Sequence, residues 1–137
     1  MKVLRNPDKL IASAKSRLMS NAKWRKFVGS VENCGVEIVE SHWKWVGDDR
    51  VQIHRRFPRV SDLNEVGFAD GRYYPAEFKY IESVLFPRFR ATAGPDSRRP
   101  LPQVAQPLHI IESALASCGR LPVFESENGL SIVAYEF

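Results

Sequence analysis

The sequence predicts an α+β domain in which three helices pack on a single antiparallel sheet of about five strands, in the order α-α-β-β-β-α-β-β. Three observations predict it. Two apolar patterns of helical period open the chain, strand-like alternation flanks a Gly47-Asp48-Asp49 loop in the middle, and a last helical pattern leads into a hairpin signal at Asn128-Gly129. With 137 residues, 44% of them hydrophobic, the chain has the size of one domain, residues 1–137, with a core of its own.

Asn6-Pro7 is a helix entry, an Asx cap followed by a proline whose missing N–H costs nothing at the first helical position. Leu10, Ile11, Ala14 and Leu18 follow at helical spacing. A second helix begins near Ser20-Asn21, carries Trp24, Phe27, Val28 and Val31 on one side, and stops at Cys34-Gly35, where glycine supplies a left-handed cap. Val36 to Phe57 then reads as a hairpin. A three-residue Gly47-Asp48-Asp49 loop sets Trp45 against Val51, Trp43 against Ile53 and Val39 against Phe57 on an apolar face. It leaves Lys44 against Gln52, His42 against His54 and Glu40 against Arg56 on a polar one. A two-residue Asp48-Asp49 turn would mix the faces, so the first register is expected.

Glu77 to Phe86 is expected as a third strand, with Phe78, Tyr80, Val84 and Phe86 at alternate positions and Pro87 ending it. Residues 87–102 combine four prolines with Arg88, Arg90, Arg98 and Arg99, which predicts a mobile basic loop. A helix from about Gln103 to Cys118 carries Val104, Leu108, Ile111 and Leu115 on one side, with Gly119 as its cap. Leu121 to Ser126 and Leu130 to Phe137 close the chain as a hairpin around Asn128-Gly129. Cys-Gly thus ends a helix before a hairpin twice, which is shared capping chemistry rather than duplication.

Charge is sorted along the chain. Residues 1–30 hold eight Lys/Arg against Asp8 alone, while residues 101–137 hold only Arg120 against four glutamates, within a net charge of +4. Such sorting steers partners without specifying chemistry. The helix side opposite the apolar stripe carries Lys23, Arg25 and Lys26, and with Arg88, Arg90, Arg98 and Arg99 these are the expected partner-binding residues. No apolar run approaches the roughly 20 residues a membrane helix needs, and no secretory pattern opens the chain, so a cytoplasmic protein is expected. Cys34 and Cys118 are read as free or buried thiols, with a disulfide between them left open.

Catalytic constellations are sparse. The expected register brings His42 and His54 together near Glu40, which could ligate a transition metal, but no third strong ligand lies at a recognised spacing and no metal or cofactor is expected. Both cysteines fall at helix C-termini, where the dipole opposes thiolate formation. There is no Gly-x-Ser-x-Gly elbow, phosphate-binding glycine loop or His-Glu-x-x-His, and no nucleic-acid fingerprint accompanies the basic balance.

Ser20-Asn21-Ala22-Lys23-Trp24-Arg25-Lys26-Phe27, Phe78-Lys79-Tyr80-Ile81-Glu82-Ser83-Val84-Leu85-Phe86-Pro87 and Gly129-Leu130-Ser131-Ile132-Val133-Ala134-Tyr135 together resemble a family of small uncharacterised bacterial proteins, some similar in style to polymorphic-toxin immunity proteins. Ala22 departs from the Thr such families usually show, and the Pro/Arg-rich loop has no counterpart there. The resemblance implies a small bacterial α+β protein that binds without chemistry, and a basic chain in that role needs an acidic partner surface. The function expected is therefore non-enzymatic recognition of a protein through the basic helical face or the Pro/Arg loop. A nucleic-acid-associated module is the first alternative, and a metal protein or enzyme around His42 and His54 the second.

Overall fold

The first two helices begin where the sequence predicts. Asn6 Oδ1 accepts the N–H groups of Asp8 and Lys9 at the head of α1 (Pro7–Ser13), and Ser20 Oγ accepts that of Lys23 at the head of α2 (Asn21–Glu32). A computed structural model describes residues 5–69, 73, 77–89 and 105–137. After β1 (Ser16–Arg17) and α2 come β2 (Ser41–Trp45), β3 (Val51–His54), β4 (Ile81–Pro87), α3 (Leu108–Ala116), β5 (Val123–Ser126), β6 (Gly129–Val133) and β7 (Tyr135–Glu136).

The fold is α+β, but it has two sheets where one was expected. Five antiparallel strands lie in the order β3-β2-β4-β6-β5, and β1 pairs separately with β7. Leu18 is therefore not the last turn of the first helix. The chain leaves helical geometry at Ala14, and Lys15 and Leu18 donate their N–H groups to Glu136 and Ala134, so pairing with the C-terminus satisfies the backbone that a longer helix would have used. The expected third strand is similarly divided: Phe78–Tyr80 forms a 3-10 turn, and extended pairing starts only at Ile81.

Inward residues of the large sheet, among them Trp43, Trp45, Val84, Phe86, Leu130 and Ile132, are fully buried with Trp24, Phe27, Val28 and Val31 of α2 and Ile111 and Leu115 of α3. The Phe27 ring sits edge-on to Trp24 and Phe57, with centroids 5.6 Å apart in both cases. Such pairs add to the area term that dominates the core.

The β2–β3 register is shifted by one residue from expectation. Ser41 faces His54, His42 faces Ile53, Trp43 faces Gln52 and Lys44 faces Val51. The loop is longer than three residues because it holds two stacked turns: Asp48 N–H bonds Trp45 O, with Gly47 at φ +82°, and Asp48 Oδ1 then accepts Arg50 N–H. Val46 is buried and gives its N–H to Tyr80 O instead of pairing across the hairpin. Trp43 and Trp45 stay in the core, yet β3 is turned over: Val51 and Ile53 are 48% and 57% exposed, while His54 points inward and stacks on Tyr73 at 4.2 Å. Tyr73 and Phe68 also pack on Trp43, so the connection after β3 covers this end of the sheet and accepts polar residues beneath it.

The last helix starts at Leu108, five residues later than expected from Gln103, and Val104 lies outside the described residues. Gln106 precedes Pro107, which disfavours helical geometry, and its amide instead bridges the splaying ends of β2 and β4. Its Oε1 accepts the N–H groups of Val39 and Glu40, and its Nε2 donates to Glu40 O and Pro87 O. In the final hairpin Ser126 faces Gly129, so Glu127 and Asn128 form the turn. Gly129 serves a different purpose: at φ +147° it lies so close to β4 that a Cβ would collide with Phe86 O.

Candidate functional site

The basic residues of α2 do not form one face. Lys23 Nζ donates to Leu18 O at 3.4 Å, and Arg25 Nη1 reaches Asn64 O at 2.7 Å in the connection after β3. Lys26 lines a cavity on the other flank of the helix, against Ser30 and Cys118. The helix is hemmed by the 3-10 turn Val60–Asp62 on one side and by α3 on the other, which separates charges that the linear sequence places together. Arg88 is bound inside the fold as well. Its guanidinium donates to Ser126 O at 2.7 Å and to Glu125 at 3.1 Å, clamping the last hairpin. Arg90, Arg98 and Arg99 lie outside the described residues, as does the expected mobility of the Pro/Arg loop.

A second basic segment, Arg55-Arg56-Phe57-Pro58-Arg59, has the opposite character. Phe57 is inserted among Phe27, Trp43 and Phe86, and Pro58 is buried. Arg56 O accepts the Tyr73 hydroxyl at 3.0 Å, Arg59 N–H binds Asp62 Oδ2 at 2.8 Å, and Val60 N–H binds Glu32 Oε2 at 3.0 Å. The backbone is thus anchored at Arg56, Arg59 and Val60, while the three arginine side chains are exposed and form no ion pair among the described residues. Arg50, by contrast, is locked to Asp48 at 2.9 Å, and its pKa is raised by that hydrogen bond and by the carboxylate's charge.

Arg55, Arg56 and Arg59 line a cavity of about 400 Å³ whose apolar floor includes Val31, Val36 and Ile38. Glu32 and Glu37 also line it, leaving three guanidinium groups against two carboxylates, one of which is already accepting Val60 N–H. Arg56 and Arg59 border a second cavity of about 200 Å³ on the far side of the same segment, against Tyr73 and Asp62. Guanidinium groups held on a fixed backbone beside an apolar floor suit carboxylate-bearing side chains, because the planar fork binds a carboxylate bidentately with little further loss of freedom.

The inverted strand also dissolves the expected histidine pair. His42 and His54 project from opposite faces of the sheet, the first hydrogen-bonded through Nε2 to Glu40 Oε2 at 2.8 Å and the second stacked on Tyr73. Glu40 is 1% exposed, so this carboxylate fixes the His42 ring from within the fold. Along the cross-strand row from His42 the next residues are Leu85 and then Ser131, which places a hydroxyl two strands away and leaves the dyad beside an apolar neighbour. Among the described residues no three His, Cys, Asp or Glu side chains are grouped to hold a metal ion.

No family model, curated protein or solved structure matches this chain. The site therefore rests on its own geometry. The arginine segment had a signal in the sequence, three arginines within five residues around Phe-Pro, but averaging charge over long stretches of chain hides it.

Proposed function

We propose that this protein is a non-enzymatic recognition module that docks an acidic segment of a partner protein on Arg55, Arg56 and Arg59. The observation that carries this reading is the contrast within one short segment: an anchored backbone bearing three exposed arginines that lack ion pairs among the described residues. Pre-organisation of this kind lowers the ordering cost of binding. A nucleic-acid strand needs basic groups spaced along a groove to neutralise successive phosphates. Here Glu32 and Glu37 interrupt the surface, and Lys23 and Arg25 are bonded to backbone carbonyls. An immunity-like role belongs to the same class of function, since it requires an acidic partner surface and no chemistry.

The test is affinity capture from native lysate followed by titration of the captured protein. Wild type is expected to return a discrete acidic protein, with binding reduced at least tenfold by combined Arg55→Glu, Arg56→Glu and Arg59→Glu and nearly unchanged by Lys23→Glu with Lys26→Glu. Tight binding to random oligonucleotides at about 150 mM salt, with a steep log–log salt slope and loss in the same triple variant, would replace this reading with the nucleic-acid one.

A further inference from the structure

Both cysteines of the chain line one cavity, although they are 84 positions apart in sequence (118 − 34). The cavity, of about 580 Å³, lies between the C-terminal ends of α2 and α3 and is lined also by Lys26, Ser30 and Ser117. Cys118 Sγ contacts Ser30 Oγ and lies 3.6 Å from Ala114 O and 4.0 Å from Lys26 O, so it rests directly on α2. Cys34 follows Ser30 by one turn. The turn persists past the end of the helix, since Asn33 N–H bonds Gly29 O and Cys34 N–H bonds Val31 O, and residues four apart on such a surface have Cβ atoms about 5–6 Å from one another. Each thiol is half-buried, and Cys34 Sγ lies 3.9 Å from Val36 O.

We infer that Cys34 and Cys118 are a reversible redox pair that closes to a disulfide joining the ends of α2 and α3. Closure requires Cys118 Sγ to leave Ser30 and Cys34 Sγ to leave Val36 O, because a disulfide needs the two Cα atoms about 4.4–6.8 Å apart. Each cysteine is followed by a glycine in the left-handed region, Gly35 at φ +80° and Gly119 at φ +98°, and no atom lies within 4 Å of where a Cβ would stand on either. The oxidant is a small disulfide of the glutathione class, for which Lys26 gives the cavity a positive rim. In the first step one cysteine thiolate attacks a sulfur of the oxidant, breaking its S–S bond, forming a mixed disulfide and releasing one glutathione thiolate. In the second step the other cysteine thiolate attacks the protein sulfur of that mixed disulfide and releases the second glutathione. Two electrons pass from the protein thiols to the oxidant, and the two thiol protons end on the released glutathiones.

The experiment equilibrates the reduced full-length protein with buffers of graded oxidised-to-reduced glutathione ratio, followed by acid quench and intact-mass measurement without reductant. The expected product is a monomer lighter by two hydrogen atoms, reverting with reductant, whose proteolytic map joins Cys34 to Cys118. Cys34→Ser and Cys118→Ser should each yield only a single glutathione adduct, with no lighter species. Ser30→Ala should speed closure, because it removes the contact that holds Cys118 away from Cys34. Wild type that accumulates two glutathione adducts, forms intermolecular dimers, or leaves both thiols unreacted while native would overturn the inference. Thermal unfolding of each variant by circular dichroism identifies any that has lost its fold.

Discussion

Two basic regions of this molecule carry comparable charge and differ in what that charge is doing. On α2, Lys23 and Arg25 are bonded to the carbonyls of Leu18 and Asn64, and Lys26 faces α3 on the opposite flank. On the segment after β3, Arg55, Arg56 and Arg59 stand on a backbone held by Tyr73, Asp62, the half-buried Phe57 and the buried Pro58, with their side chains exposed. A high local density of Lys and Arg therefore says little about recognition until it is known which cations the fold uses for itself. Lys23 and Arg25 are engaged within the fold and Lys26 is exposed beside α3, whereas the three arginines after β3 make no ion pair among the described residues, which is the ground for proposing them as the docking site.

The largest effect that could break this contrast comes from the anchor of the second region. Phe57→Ala should cost about 3 kcal/mol in urea unfolding, at the low end for a large aromatic because the ring is only half-buried, and a loss below about 1 kcal/mol would mean the segment is not pinned to the core. Next in size, Arg25→Ala should cost about 1 kcal/mol through the lost bond to Asn64 O, whereas Arg55→Ala should stay within about 0.5 kcal/mol. Equal losses at the two arginines would erase the distinction. Tyr73→Phe should also cost about 1 kcal/mol, by removing the hydroxyl donor to Arg56 O, and should weaken partner binding although residue 73 bears no charge. Binding that is indifferent to this substitution would show that anchoring the backbone contributes nothing. The smallest expected effect is that of Ile53→Thr, within about 0.5 kcal/mol because the side chain is 57% exposed; a loss near that of a core isoleucine would restore the register in which it opposes Trp43.

Much of the fold was legible where the deciding interactions are local. The stripe of α2, its start near Ser20-Asn21, the Asn6 cap and the left-handed Gly35 all depend on residues within a turn of one another and stand as expected, although α2 itself ends at Glu32, just before Cys34-Gly35. The hairpin register was not legible, because which side of β3 is covered depends on Phe68 and Tyr73, which arrive from a distant connection, and on a loop whose Asx turn lengthens it. Separation of β1 from α1 depends on Ala134 and Glu136 at the other end of the chain. The final hairpin shows a signal right in kind and displaced in place: Asn128-Gly129 marks the turn, but Gly129 is required by its approach to Phe86 O. The candidate site stayed hidden for a related reason. Its arginines are plain in the sequence, but their availability follows from the bonds that Lys23, Arg25 and Arg88 make and that Arg55, Arg56 and Arg59 do not.

Backbone amide shift mapping with an Asp/Glu-rich peptide of about ten residues tests the central claim most directly, since it reads both basic regions in one titration. The largest perturbations are expected at residues 55–59 and along the cavity floor at Val31, Val36 and Ile38, saturating together and vanishing when Arg55, Arg56 and Arg59 are replaced by glutamate. Perturbations concentrated at Lys23, Arg25 and Lys26, with residues 55–59 unmoved, would contradict the account and return the binding surface to the helix.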